Sequence, residues 1–169
     1  KQAGDAVTAV GVTKDGLTHN PGRIDPTNEA FEDSRKPLAA EFEFNGEKVV
    51  VVANHLNSKG GDGALFGADH PVVLGSEAQR IKQATVINDF VNELENNMKN
   101  ANVVVLGDMN DFEFSAPIKT LEGDVLTDMM NKLPAAERYT YNYQGNAQVL
   151  DHILVSNNLA KKADIDTVN

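Results

Sequence analysis

Polar side chains lie within or directly after three apolar runs of the sequence. The stretches VVVVANHLNSKGG, VVVLGDMND and QVLDHILVS supply Asn54, His55, Asn57, Lys59, Asp108, Asn110, Asp111, Asp151 and His152. Carboxylate and amide oxygens are ligands of hard cations, and histidine carries protons near neutral pH. The same groups bind phosphate and act in general acid–base catalysis. The pattern therefore predicts metal, phosphate or proton-transfer chemistry where predicted strands end.

Taken one at a time, some of these residues also have a purely structural interpretation. His55 could be partly buried and bonded to a backbone carbonyl. Asp108 could simply end a strand and open a turn, as Gly-Asp pairs often do. Lys59, among glycines, could be a solvated loop charge. Asp111 is interpreted as shaping the turn that follows the strand.

Asp151 is harder to explain in this way. It lies in a predicted strand between Leu150 and Ile153, where an unpaired carboxylate would cost roughly several kcal/mol. We therefore expect a histidine or a metal as its partner. His152 cannot be that partner, because adjacent residues of a strand point to opposite faces.

Composition limits the class of protein. The chain has 169 residues and no cysteine, which excludes disulfides, thiolate metal sites and cysteine nucleophiles. Its net charge of −10 weighs against a passive DNA-binding module, but not against an enzyme that gathers carboxylates around a divalent cation. It has no run of apolar residues long enough to span a membrane. Because it begins Lys1-Gln2 without Met or a secretory signal, we expect a processed or excised piece.

The chemistry-bearing residues are carried by a mixture of strands and helices. A hairpin is predicted from PLAAEFEF and KVVVVANHL, joined by an Asn45-Gly46 turn. A capping box at Ser76 and Gln79 opens a helix whose apolar positions are Ile81, Ala84, Ile87, Val91, Leu94 and Met98. NVVVLGD is predicted to be a central strand, and Ser115 to cap a short helix through Leu121. Further strands are predicted at DAVTAVGV, YTYNY, QVLDHILVS and, as an edge strand, KADIDTV. Strands in hairpins mixed with helices predict an α+β fold.

An ordered set of motifs carries a resemblance to a known superfamily. RKPLAAEF, NHLNSKGG, RIKQA, GDMNDF and LDHILVS follow one another between Arg35 and Ser156. In this order and spacing they resemble the endonuclease/exonuclease/phosphatase superfamily, whose fold is the DNase I-like sandwich. The motif sequences are most similar to those of bacterial extracellular nucleases.

The resemblance implies roles for individual residues in metal-assisted phosphodiester hydrolysis. Asp108 would activate or orient the attacking water beside a Mg²⁺ ion (or Ca²⁺ or Mn²⁺), and Asn110 would hold that water or a phosphate oxygen. His55 would contact the scissile phosphate or protonate the leaving group, and Asp151 would orient a general-base histidine. The candidates for phosphate contacts are Asn57, Lys59 and Arg80, although Arg80 could equally lie on a solvated helix face.

Two parts of the family pattern are absent from the sequence. The glutamate that is the main metal ligand should precede this chain, and the closing Ser-Asp-His motif should follow Asn169. We therefore expect residues 1–169 to be a single partial domain, the C-terminal half of a two-sheet sandwich, with weak metal binding and weak or no activity alone. A half sandwich exposes an apolar sheet face, so self-association or a protein partner is expected besides the missing half and a nucleic acid substrate.

Three functions stay open at this point. The first is a secreted bacterial endonuclease, located outside the cell, at its surface or in the periplasm. The second is a phosphodiesterase or phosphatase for lipid or sugar phosphates, which the acidic charge favours. The third is a non-catalytic binding or scaffold domain, which the intact His55, Asp108, Asn110 and Asp151 disfavour.

Overall fold

The computed structural model describes residues 8–63, 68 and 70–166. The strands are β1 (Val12–Thr13), β2 (Gly16–Leu17), β3 (Gly22–Arg23), β4 (Leu38–Phe44), β5 (Glu47–His55), β6 (Asn102–Asp108), β7 (Leu126–Asp128), β8 (Tyr141–Tyr143), β9 (Asn146–Gln148) and β10 (Asp151–Ser156). The helices are α1 (Glu77–Asn97), α2 (Ala116–Glu122) and α3 (Asn157–Ala160), with short 3₁₀ helices at Glu29–Phe31, Met129–Lys132 and Ala135–Glu137. None of the helices in these residues is long and apolar enough to cross a membrane.

The main sheet has six strands in the order β3-β4-β5-β6-β10-β7. The pair β5 and β6 is parallel, and the other neighbouring pairs of this sheet are antiparallel. The predicted α+β class, a mostly antiparallel sheet flanked by helices, is thus confirmed.

The hairpin of β4 and β5 forms as predicted. The turn residues Asn45 and Gly46 both have positive φ, at 52° and 79°. This is the backbone that a type I′ turn requires and that Asn-Gly sequences favour. The hairpin fixes the register of β5 against the whole length of β4, from Glu47 to Ala53.

The parallel pair brings two polar strand ends to the same edge of the sheet. Helix α1 makes the crossover between β5 and β6, as parallel neighbours require. Its buried positions Ala84, Ile87, Val91 and Leu94 are fully inaccessible to solvent, in agreement with the helical spacing of the sequence. β6 lies between β5 and β10, so the prediction of a central strand is confirmed.

The two faces of the main sheet have different environments. One face packs on the helices; its buried core residues include Ala39, Val50, Val52, Val103, Val105 and Leu154, against Ala84, Ile87, Val91, Leu94, Ile118 and Leu121. On the opposite face Phe42 is 58% exposed and Ile153 is 41% exposed, and Val49, Val51 and Leu106 are only half-buried. An apolar face of this kind is the surface that the predicted self-association requires.

Two predictions at the chain ends need separate statements. The predicted edge strand KADIDTV is wrong over residues 162–166, which form no strand, while residues 167–168 lie outside the described part. Of the predicted first strand Asp5–Val12, residues 5–7 also lie outside the described part. In the remainder Ala9 forms an isolated bridge to Arg23, and Val12 begins β1.

Two further local predictions have different outcomes. The strand predicted at YTYNY is confirmed over Tyr141–Tyr143 as β8, which pairs with β9 in a separate two-stranded hairpin. Ser76 precedes α1, but its side chain makes no capping hydrogen bond. Its hydroxyl donates to Asp62 and accepts from Arg80 instead, because these charged groups form stronger hydrogen bonds than a neutral backbone amide.

Candidate active site

Three polar side chains lie in one row across the edge of the main sheet. His55 is paired with Asp108 across β5 and β6, and Asp108 is paired with Asp151 across β6 and β10. Residues directly opposite each other on neighbouring strands project to the same face. His55, Asp108 and Asp151 are therefore neighbours although they are far apart in the sequence. The row lies on the face that the helices leave exposed.

Asp108 occupies the middle of the row and uses its two carboxylate oxygens differently. Oδ2 lies 3.4 Å from Nε2 of His55. Oδ1 accepts a hydrogen bond of 2.9 Å from the backbone N–H of Asn110. Both side chains are partly exposed, so the pair is open to solvent and to a ligand.

The turn after β6 has a backbone that few residues adopt. Gly107 has a φ of +131°, and a Cβ at this position would lie 2.0 Å from the carbonyl oxygen of Asn54. Asn110 has a φ of +52°, a conformation that asparagine tolerates better than most residues. Its Nδ2 donates to the carbonyl of Leu56 at 3.0 Å. Asn110 is thus fixed beside Asp108, and its amide oxygen is the atom that it offers to a ligand.

Asp151 is exposed to solvent rather than buried among apolar side chains. The expectation of a costly buried carboxylate is therefore wrong, because Asp151 begins its strand at the open edge of the sheet. Its backbone N–H donates to Oγ1 of Thr140 at 3.0 Å. Within the described residues its side chain forms no ion pair with a histidine. His152 is buried on the opposite face, as the alternation of the strand predicts.

Asp111 is a buried carboxylate that fixes the turn after β6 through its hydrogen bonds. Its side chain accepts from Lys59 Nζ at 2.6 Å and from Arg80 Nε at 2.8 Å. It also accepts from the backbone N–H of Phe112, so Asp111 shapes the following turn, as the sequence interpretation had it.

Arg80 differs from both sequence interpretations. It is fully buried, so it does not lie on a solvated helix face. Besides Asp111, the guanidinium contacts Asp62 at 3.7 Å, Ser76 and the carbonyl of Asn57. With these groups bound inside the protein, Arg80 is not positioned for the predicted phosphate contact.

Asp62 is a second carboxylate beside Arg80 and Lys59, and their positive charges affect its pKa. Burial by itself would raise its pKa. The hydrogen bonds from Ser76 and the charges of Arg80 and Lys59 outweigh burial and lower the pKa below the ordinary value of 3.8.

The other two predicted phosphate-binding residues lie closer to solvent. Lys59 is about one-third exposed, so its ammonium reaches both Asp111 and the surface. Asn57 donates its backbone N–H to Gln83. Asn57 lines a cleft with Ser58 and with the segment from residue 33 to residue 36.

His152 forms a buried ion pair that the sequence did not reveal. Its Nδ1 lies 2.8 Å from Oδ2 of Asp128, and its Nε2 lies 2.9 Å from the carbonyl oxygen of Asp111. Both partners are acceptors, so both ring nitrogens carry a proton. Burial alone would lower the pKa of His152. The hydrogen bond and charge of Asp128, the Asp111 carbonyl and the charge of Glu113 outweigh burial and raise it above 6.5.

Asp128 was missed because its partner is 24 residues away in the sequence. The available signal was His152 itself, a histidine on the apolar side of a strand, which must find an acceptor when buried.

Comparison with known proteins identifies the family. A model described as "Endonuclease/Exonuclease/phosphatase family" matches residues 17–167. The chain belongs to this family. No curated protein matches the sequence.

Solved structures of the endonuclease/exonuclease/phosphatase family share the fold. A truncated TDP2 from Caenorhabditis elegans is 18% identical, with a TM-score of 0.56 over 82% of this chain and 52% of that one. A humanized TDP2 from D. rerio is 21% identical, with a TM-score of 0.53 over 72% and 45%. Sphingomyelinase C from Streptomyces griseocarneus is 21% identical, with a TM-score of 0.50 over 73% and 42%. The chain thus spans about half the length of these proteins, and the likeness shows the fold alone.

The donor atoms at the row fit a hard cation only in part. Asp108 and Asn110 offer oxygen ligands, the type that Mg²⁺ and Ca²⁺ prefer. Across the described ranges, 8–63, 68 and 70–166, no group of three or more His, Cys, Asp or Glu side chains is placed to hold a metal ion. A cation bound here would take its remaining ligands from water, substrate or further protein groups.

Proposed function

We propose that this protein hydrolyses phosphodiester bonds of nucleic acid with the help of a divalent cation held at Asp108 and Asn110. The observation that carries the proposal is the row of His55, Asp108 and Asp151 on one open face of the sheet. Membership in the endonuclease/exonuclease/phosphatase family supports the reaction class. The fold brings three strand ends that are distant in the sequence into one row, and this row is where we place the reaction.

Each residue of the row has a chemical task that suits its surroundings. Asp108 accepts a hydrogen bond from the backbone N–H of Asn110 at Oδ1 and faces His55 with Oδ2, so its carboxylate is held in a position to orient an attacking water. His55 is partly exposed and 3.4 Å from Asp108, where it can contact a scissile phosphate or protonate a leaving oxygen. Asp151 is an exposed acceptor at the end of its strand and can orient a base supplied from outside the described residues.

A bound Mg²⁺ would neutralise charge on the phosphoryl oxygens. Mg²⁺ is bound in many proteins by one or two carboxylates plus water and phosphate, so Asp108 with the amide oxygen of Asn110 is a usable but incomplete set. The chain alone is therefore expected to bind the ion weakly. Lys59 and Asn57 are proposed as phosphate contacts beside it.

The first test is cleavage of plasmid DNA in Mg²⁺ and in Ca²⁺, with the chain expressed together with any sequence that flanks it in its gene. Asp108→Ala is expected to abolish cleavage, because it removes both the His55 partner and the cation ligand. Asp89→Ala is the matched control, since Asp89 is an exposed aspartate on α1. Cleavage that survives Asp108→Ala would rule out this site.

A second candidate function is hydrolysis of lipid or sugar phosphates. The net charge of −10 supports it, because an acidic surface repels a polyanionic nucleic acid more than a small phosphodiester. Release of phosphate or phosphocholine from small phosphodiesters, without DNA cleavage, would favour it. If neither substrate is hydrolysed and Asp108→Ala leaves divalent-cation binding unchanged, the scaffold interpretation replaces both.

Secretion by a bacterium is proposed as well, on the cysteine-free composition and the resemblance to extracellular nucleases. Recovery of the protein from culture medium rather than from the cell interior is the expected result of fractionation in its source organism.

A further inference from the structure

An exposed aromatic stack follows directly after the turn that carries Asp108 and Asn110. The rings of Phe112 and Phe114 lie with centroids 5.4 Å apart and planes 21° apart. Phe114 is 73% exposed, whereas Phe112 is half-buried. The inner ring is therefore anchored in the protein, and the outer ring presents its surface to solvent.

A cation lies against the inner ring of this stack. Lys59 Nζ is 4.7 Å from the centroid of Phe112 and 2.6 Å from Oδ1 of Asp111. The contact fixes the ring and keeps a positive charge beside it. Proteins that bind single-stranded nucleic acid combine a positive charge with an aromatic ring, because the charge attracts the phosphates and the ring stacks on a base.

The stack lies within reach of the row of His55, Asp108 and Asp151. Phe112 is four residues after Asp108, so their Cα atoms are at most about 14 Å apart. A strand of nucleic acid with one phosphate at the row would place a neighbouring nucleotide near the aromatic rings.

A second aromatic pair lies in the hairpin that precedes β10. Tyr141 and Tyr143 are both exposed and stack with centroids 6.2 Å apart and planes 14° apart. Their hairpin is bound to the start of β10, because Thr140 Oγ1 accepts from the backbone N–H groups of Leu150 and Asp151 at 3.0 Å. Aromatic surface thus borders the row along the chain both after β6 and before β10.

We propose that the Phe112–Phe114 stack is a base-stacking subsite for single-stranded nucleic acid, with Lys59 contacting the adjacent phosphate. The inference rests on the proposed nuclease function and adds the form of the substrate. The charge of the protein supports it: with a net charge of −10, phosphate contacts alone contribute little attraction. Stacking on unpaired bases does not depend on charge and would carry a large share of binding. In a duplex the bases are already stacked on each other, so the subsite selects single strands.

The test measures binding of a fluorescein-labelled single-stranded oligonucleotide by fluorescence anisotropy, in EDTA so that no cleavage occurs. Phe114→Ala is expected to weaken binding by roughly 5- to 150-fold, the loss that corresponds to one stacked base. Phe44→Ala is the matched control: Phe44 is also 73% exposed but lies at the far end of the sheet, paired with Glu47. Phe114→Trp should restore binding, because it restores a stacking ring.

An abasic oligonucleotide of the same length separates stacking from other effects of the substitution. We expect Phe114→Ala and the unchanged protein to bind it equally weakly. Equal affinity of Phe114→Ala, Phe44→Ala and the unchanged protein for the normal oligonucleotide would overturn the subsite. So would an equal loss on the abasic strand. In both cases DNA cleavage that depends on Asp108 would leave the proposed function standing. If no oligonucleotide binds and no DNA is cleaved, both the subsite and the nucleic acid substrate are wrong.

Discussion

The position of Asp108 depends on two residues with unusual backbone conformations. Gly107 lets β6 approach the carbonyl of Asn54 on β5, and Asn110 turns the chain back towards Asp108. These conformations allow one short turn to supply both the carboxylate and the amide of the candidate site. The backbone conformation of this turn thus accounts for the glycine and the asparagine of the Gly-Asp-Met-Asn motif.

Replacing Gly107 by Ala is expected to destabilise the protein. The new Cβ would lie 2.0 Å from the Asn54 oxygen at a φ of +131°, so strain of about 1–3 kcal/mol adds to a backbone displacement. Chemical denaturation should show a loss clearly larger than that of Gly46→Ala. Gly46 also has a positive φ, of +79°, but no atom within 4 Å of the added Cβ. Equal losses would show that the close approach to Asn54 is not needed.

His152 makes stability depend on pH. Its pKa in the folded protein lies above its ordinary value of 6.5, so its interactions with Asp128 and Asp111 stabilise the fold fully below that value. The contribution is lost as the pH rises through the folded pKa. Unfolding free energies measured at increasing pH above 6.5 should fall, with a slope of at most about 1.4 kcal/mol per pH unit from this residue.

The variant His152→Gln should remove this part of the pH dependence and lower stability at pH 6. His19→Gln serves as its control, because His19 is exposed. A slope that persists unchanged in His152→Gln would assign the pH dependence to another group.

At the scale of elements, Arg80 joins three segments of the chain. It lies in the first turn of α1 and contacts Asp111 after β6 and the carbonyl of Asn57 after β5. The helix that makes the parallel crossover therefore also anchors the loops that follow β5 and β6. This is why a basic side chain of the RIKQA motif is buried.

Arg80→Ala is expected to cost about 3–5 kcal/mol of stability, because it removes the buried one of the two cationic partners of Asp111 and leaves Oδ2 of that buried carboxylate unpaired. Adding Asp111→Asn to Arg80→Ala should recover part of the loss, which thermal or denaturant unfolding would measure. Lys82 lies on the same helix as Arg80 and forms an exposed ion pair with Glu29. Lys82→Ala should therefore cost less than about 1 kcal/mol. A similar small cost for Arg80→Ala would mean that solvent reaches Asp111.

The elements were predictable wherever local sequence decides them. The β4–β5 hairpin follows from Asn45-Gly46, and α1 from apolar residues at helical spacing. Ser76 was mispredicted because its hydroxyl binds Asp62 and Arg80, charged partners that no local pattern indicates. The same holds for the buried state of Arg80, which is decided by Asp111, 31 residues away.

At the scale of the whole molecule, the site could be predicted only as a set of residue types. The sequence indicated that His55, Asp108, Asn110 and Asp151 belong together through ordered motifs. The arrangement of His55, Asp108 and Asp151 as one row follows from the strand order, which places β10 next to β6 across a long sequence separation. The aromatic stack was not predicted, because exposed rings after a turn have no periodic signal.

The exposed sheet face leads to the last prediction, which concerns assembly. Phe42 and Ile153 are 58% and 41% exposed on the face that carries the row, and burial of such surface drives association. Light scattering at increasing concentration should therefore give a mass above the 18.3 kDa of one chain. The double variant Phe42→Lys, Ile153→Lys should return the mass to that of a monomer. Val73→Lys should not, because Val73, at 60% exposed, lies in the loop before α1.

If the protein without substitutions stays monomeric at high concentration, self-association is refuted. Association of the double variant would instead place the interface elsewhere.

The row of His55, Asp108 and Asp151 lies on the same face, so association through this face would also cover part of the row. DNA cleavage per chain should then fall as concentration rises, and the double variant should not show this fall.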